Sequence, residues 1–140
     1  MEIVSFRDLD AWNVAMELVV TTYELVSKLP ASERFELSAQ MRRAAVSIPS
    51  NVAEGHACRG RRFMHHVRIG LGSLAELDTQ LEVAQRLGML APHTLDGVTG
   101  QIARTGQVLH GLLRSLRRNQ LKQAAIGCAG FAVALCLLYV

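Results

Sequence analysis

A chain of 140 residues fits one domain with a real core and leaves little room for a second. Half of its residues are hydrophobic, yet only 5% are aromatic and three are Pro, which argues for Ala- and Leu-rich helices and against a strand-rich sandwich. The net charge of +3 hides an asymmetry, because residues 1–36 hold seven acids against three bases and residues 37–122 hold five acids against twelve bases.

In chain order, Leu9, Trp12, Met16, Val19, Tyr23 and Val26 recur at steps of three and four, the apolar stripe of a first helix over roughly residues 8–28. Asp8 or Asp10 can cap its start, and Lys28 followed by Pro30 suits its end. A second stripe, Leu37, Met41, Ala44, Ile48 and Val52, follows Ser32 as N-cap. Pro49 removes a backbone donor, so a kink or break is expected near Ile48, with Gly55 closing the helix.

The third stripe is Phe63, Val67, Gly70, Leu74, Leu77, Leu81 and Ala84, punctuated afterwards by Gly88 and Pro92. Leu95, Val98, Ile102, Thr105, Leu109, Leu112 and Leu116 form the fourth. Short connections favour antiparallel neighbours, so the expected fold is an all-α, up-down-up-down four-helix bundle over residues 1–122. Gly70 on the seam and Gly72 beside it weaken the third helix, a cost that a close helix approach would offset.

The stretches QMRRAAVSIPSNVAEG (40–55) and GSLAELDTQLEVAQRLGML (72–90), together with the opening FRDLDAWNVAMELVVTTYEL, resemble the four-helix-bundle family of 23S ribosomal-RNA intervening-sequence proteins over roughly Phe6–Leu116. That name is genomic, since members are often encoded inside insertions in large-subunit ribosomal-RNA genes. The resemblance implies no assigned enzymatic activity. Relatives in diversity-generating retroelements form homopentamers and bind reverse transcriptase and nucleic acid. The partners it implies are therefore further copies of the chain, RNA or DNA, and a reverse transcriptase or other protein.

The residues point the same way in part. Arg61, His65 and Arg68 fall on one outer face of the third helix, Arg59 and Arg62 lie close by, and no acid occurs between Glu54 and Glu76. A second cluster, Arg114, Arg117 and Arg118 with Lys122, lies on the outer side of the last turns of the fourth helix, extended by Arg104 and His110. The plainer reading of that cluster is cations complementing a helix C-terminus. Arg42 and Arg43 suit phosphates or ion pairs, with Glu54 a candidate carboxylate, and the structural role is preferred. Trp12, Tyr23 and Phe63 read as core, which leaves no aromatic platform for bases and makes any nucleic-acid binding electrostatic.

His56, Cys58, His65 and His66 crowd together, but the spacing fits no zinc finger and they read as surface residues, so no metal or other cofactor is expected. Cys58, Cys128 and Cys136 are odd in number and lack CxxC spacing, which speaks for a reducing compartment. No P-loop, GxGxxG, HExxH or nucleophile elbow is present, and Glu76, Asp78 and Glu82 read as a solvated face, so the chain reads as non-enzymatic. The acidic opening lacks the pattern of a secretory signal, so export is not indicated and a cytoplasmic protein is expected.

Residues 124–140 contain no charge and follow the basic run RSLRRNQLK. As a helix they span about 25 Å, so this apolar extension (residues 123–140) suits either a membrane anchor or a segment packed in an oligomer. Three readings follow: a nucleic-acid-associated accessory module, a protein-interaction scaffold without nucleic acid, and an adaptor tethered to membrane.

Overall fold

The computed structural model describes residues 4–138, and the side chains of residues 4–91 and 93–125. Among the described residues there are four α-helices, α1 (Asp10–Val26), α2 (Leu37–Cys58), α3 (Gly60–Arg86) and α4 (Asp96–Leu138), with short 3-10 turns at Phe6–Asp8, Ala31–Arg34 and Pro92–Thr94.

The helix starts differ from the sequence expectation. Asp8 does not cap the long first helix; its carboxylate accepts from the Ser5 N–H at 2.8 Å and closes a capping box on the preceding turn. The Asn13 amide donates to the Arg7 carbonyl at 2.9 Å and to the Leu9 carbonyl at 3.1 Å, which ties that turn to α1. Ser32 falls in the second 3-10 turn, and α2 begins at Leu37 without a side-chain cap. Arg42 donates to the Arg34 carbonyl at 3.0 Å and fixes the turn to the helix, so its role is structural.

Neither Pro49 nor Gly55 ends α2. The helix runs unbroken through both, with Pro49 buried against α1. An interior proline loses its own donor and crowds the carbonyl one turn back, a cost that the surrounding packing carries here. Gly55 serves a close approach instead: a Cβ there would stand 2.5 Å from the Phe63 ring and 2.9 Å from His66 Cβ. The helix ends at Cys58, where Arg59 (φ 58°) and Gly60 (φ 54°) turn the chain directly into α3.

The core is built from the expected stripes of α2, α3 and α4. Met41, Ala44, Ile48 and Val52, all seven stripe residues of α3, and Leu95, Val98, Ile102, Thr105 and Leu109 are buried. At α1 only Leu9 and Val26 of the expected stripe are buried, and the rest of the core face is Ala11, Val14, Ala15, Leu18, Thr22 and Leu25. Trp12, Met16 and Val19 are half-buried and Tyr23 is 48% exposed, one flank away from the core. Thr22 is tolerated there because its hydroxyl donates to the Leu18 carbonyl at 2.7 Å.

Helices α2 and α3 run antiparallel, since Gly55 lies on Phe63, Asn51 meets His66, Gly70 faces Ile48 and Ser47 meets Ser73. On α4, Gly106 packs on Leu74 of α3, and Arg104 reaches Glu17 of α1 at 3.5 Å. Among the described side chains the last on α4 to pack on the core is Leu116, beyond which the helix continues to Leu138, about 33 Å further at 1.5 Å per residue. Among the described residues no helix is long and apolar enough to cross a membrane. The side chains of the apolar extension, on which the anchor and packed-segment readings rest, lie outside the described residues.

Candidate nucleic-acid interface

The two arginine clusters read from the sequence share one end of the bundle, with Arg59 on the cleft between α3 and α4 and Arg114 in a separate hollow on α4. The start of α3 packs beside the stretch of α4 that leaves the core: a cleft of 540 Å³ is walled by Arg59, Gly60 and Phe63 on one side and by Leu112, Ser115, Leu116 and Asn119 on the other. Arg59, Arg61 and Arg62 therefore stand at the same end as Arg114, Arg117, Arg118 and Lys122, with Arg68 two turns along α3. All seven candidate arginines are exposed. Arg7, which the sequence reading passed over, joins them through the turn before α1, its guanidinium 4.6 Å from the Phe6 ring centroid.

Those seven arginines have no carboxylate within ion-pair distance among the described residues, where the ion pairs are Glu54–His66, Glu82–Arg86 and Glu17–Arg104. Arg104 is thereby engaged with α1 and does not extend the second cluster. Asp8, the nearest acid in the first turn, is committed to backbone N–H groups. Most of the remaining carboxylates, Glu24, Glu33, Glu36, Asp78, Glu82 and Asp96 among them, belong to the opposite half of the bundle, so the molecule has a positive end.

Helix dipoles do not account for this placement. Because α4 runs on to Leu138, Arg114, Arg117 and Arg118 are mid-helix residues, and the C-terminal complement suggested for them does not apply. Arg59, Arg61 and Arg62 sit where the C-terminus of α2 meets the N-terminus of α3, so the two helix dipoles oppose each other there and neither alone sets their placement. Helix α3 has no side-chain cap, and its first N–H groups lack intrahelical acceptors, so they add to the positive field. Arg59 holds a positive φ that a non-glycine residue adopts at a cost, which sets its side chain on the rim of the cleft.

Behind this surface lies a polar ladder that the sequence reading missed. Ser73 donates to the Ile69 carbonyl at 3.2 Å, which leaves its oxygen to accept from Ser47 at 2.8 Å. Asn51 donates to the Ser47 carbonyl at 2.9 Å and its hydroxyl at 3.2 Å. The Asn51 oxygen is then the acceptor for His66 Nδ1–H at 3.2 Å, with a Glu54 oxygen 3.5 Å away. His66 is thus a half-buried seam residue and not a surface one, and Glu54 faces it in place of Arg42 or Arg43. The signal was present as Ser47 and Asn51 one turn apart on the α2 face beside its apolar stripe.

The other candidates separate. Cys58 and His65 are exposed, while His56 stands edge-on to Phe63 with ring centroids 6.0 Å apart. No three His, Cys, Asp or Glu side chains come together as a metal site among the described residues. Glu76 accepts from Gln80 at 3.1 Å and Glu82 from Arg86 at 2.7 Å, the local pairing of an exposed helix face.

A sequence model described as 23S rRNA-intervening sequence protein matches residues 7–111. Among solved structures, a crystal structure of a protein with unknown function from the S23 ribosomal protein family of Bacteroides thetaiotaomicron is similar, at 20% sequence identity and a TM-score of 0.68, covering 74% of this chain and 95% of that one. At that identity the likeness establishes the fold. No curated protein matches the chain.

Proposed function

Because the chain belongs to the 23S rRNA-intervening sequence protein family, we propose that it is a non-enzymatic accessory module whose basic end docks on the phosphate backbone of RNA or DNA. The observation that carries this reading is that seven exposed arginines from two segments far apart in sequence, free of carboxylate partners among the described residues, belong to the same end of the bundle. Guanidiniums bind phosphate bidentately, and the uncapped first N–H groups of α3 offer further donors beside Arg61 and Arg62. Phe63 is buried, so bases gain no stacking partner from it and recognition rests on charge.

The test is binding of the full chain to labelled RNA and DNA across a salt series. Affinity should fall steeply with salt, and the triple variant Arg61→Glu, Arg62→Glu, Arg68→Glu should flatten that dependence by about one unit of slope for each phosphate no longer neutralised, with helical content unchanged. Unchanged binding by the variant would remove the basic end from the reading.

We propose in addition that the protein self-assembles, as a pentamer by family resemblance, and acts in the cytoplasm. A ring of subunits would present several basic ends to one strand and raise the apparent affinity without new contacts. Sedimentation of the full chain gives the subunit number, and a monomer that still binds would separate the two proposals.

A further inference from the structure

We propose that the groove between α1 and α2 is a docking site for an acidic amphipathic helix of a partner protein. Its walls are Trp12, Met16, Val19 and Tyr23 on α1 and Val46 and Pro49 on α2. Trp12 and Val19 rest on the edge of the core and Pro49 is buried, while the outer rim is open: Tyr23 is 48% and Val46 40% exposed, with Val20 beside them at 57%. The sequence offers a full core-like stripe here, and the bundle leaves it open because α1 turns its small residues, Ala11 and Ala15, inward.

Length and charge specify the occupant. The run from Trp12 to Tyr23 covers about 16 Å, three turns of a docked helix. Three guanidiniums line the groove, Arg7 toward one end and Arg42 and Arg43 toward the other, and no carboxylate among the described residues does. An apolar strip flanked by cations fits a helix that carries an apolar stripe flanked by Glu or Asp. This chain supplies no free segment of that kind. Residues 124–140 hold no acid, and the nearest match, the outer face of α3 with Val83 and Leu87 exposed beside Asp78 and Glu82, carries Arg86, which already pairs with Glu82 at 2.7 Å.

Trp12 is the single tryptophan of the chain and lines the groove, so its emission reports occupancy. The probes are two synthetic helix-forming peptides of about 15 residues, each with Leu at helical spacing, one flanked by Glu and the other by Lys. The Glu peptide should shift Trp12 emission saturably in the full-length protein, and the Lys peptide should bind at least about tenfold more weakly. Val46→Glu should abolish the shift with the circular dichroism spectrum unchanged, and Arg43→Glu should narrow the preference for the Glu peptide, Arg42 being kept because it holds the Arg34 carbonyl.

Equal binding of both peptides, or no saturable shift with either, would overturn the proposal. So would an oligomer that Val46→Glu converts to monomer, since a second copy would then be the occupant. The groove and the basic end share only Arg7, which none of these variants alters, so loss of nucleic-acid binding leaves this test standing.

Discussion

Helix α2 meets α3 along one side and α1 along another, and the two contacts differ in kind. Toward α3 the fit is close and directional: Gly55 admits the Phe63 ring, and a chain of hydrogen bonds from His66 through Asn51 and Ser47 to Ser73 fixes the register. Toward α1 the core face alternates small residues, Ala11 and Ala15, with Leu18 and Leu25, and Trp12, Met16 and Tyr23 flank it along an open groove. Tight seams of that sort specify one arrangement of helices, whereas an open apolar flank contributes little to folding and is available for association.

The sharpest way to break this comparison uses two nearby residues of α2. Ile48 is fully buried and Val46 is 40% exposed. Ile48→Ala should cost about 2–5 kcal/mol, the transfer term plus a cavity that neighbours cannot fill. Val46→Ala should stay within about 0.5 kcal/mol, as a surface change does. Urea denaturation of both variants measures the difference, and comparable losses would mean that the α1 flank is as tightly packed as the α3 seam.

Gly55→Ala tests the seam itself. Alanine in a helix interior ordinarily gains about 1 kcal/mol over glycine, so a neutral site would become more stable. Here the added Cβ would meet the Phe63 ring and His66 Cβ inside contact distance. Overpacking of this kind costs about 1–3 kcal/mol, and the melting temperature should fall. A rise would show that the α2 and α3 backbones have room to separate.

How much of this was legible before the fold was known follows from the same physics. The stripes of α2, α3 and α4 could be read because Met41, Ile48, Leu77 and Leu109 are both the large apolar residues and the buried ones. The α1 stripe was misread because Trp12, Met16 and Tyr23 outweigh Ala11, Ala15 and Thr22 in any reading by size, while close packing of helices rewards the small ones. Gly55 and Pro49 signalled a helix end, but tertiary packing carried α2 past both. Each arginine cluster was visible locally. Their meeting at one end was not, since it depends on where α4 passes the start of α3 and on α4 outrunning the core.

The smallest expected effect separates two neighbouring glycines of α3. Gly70 is buried, yet a Cβ there would find the Ile48 carbonyl oxygen at 3.5 Å and Asn51 Cβ at 3.7 Å, ordinary contact distances. Gly72 is exposed and a Cβ there would meet nothing within 4 Å. Gly72→Ala should therefore stabilise the protein by about 0.5–1 kcal/mol through helix propensity alone. Gly70→Ala should not fall below wild type, because it adds the same propensity and a methyl group in contact with α2. If Gly70→Ala proves destabilising while Gly72→Ala stabilises, the helix approach at Ile48 is tighter than these distances, and the close-fitting part of the seam extends from Gly55 along two further turns of α2.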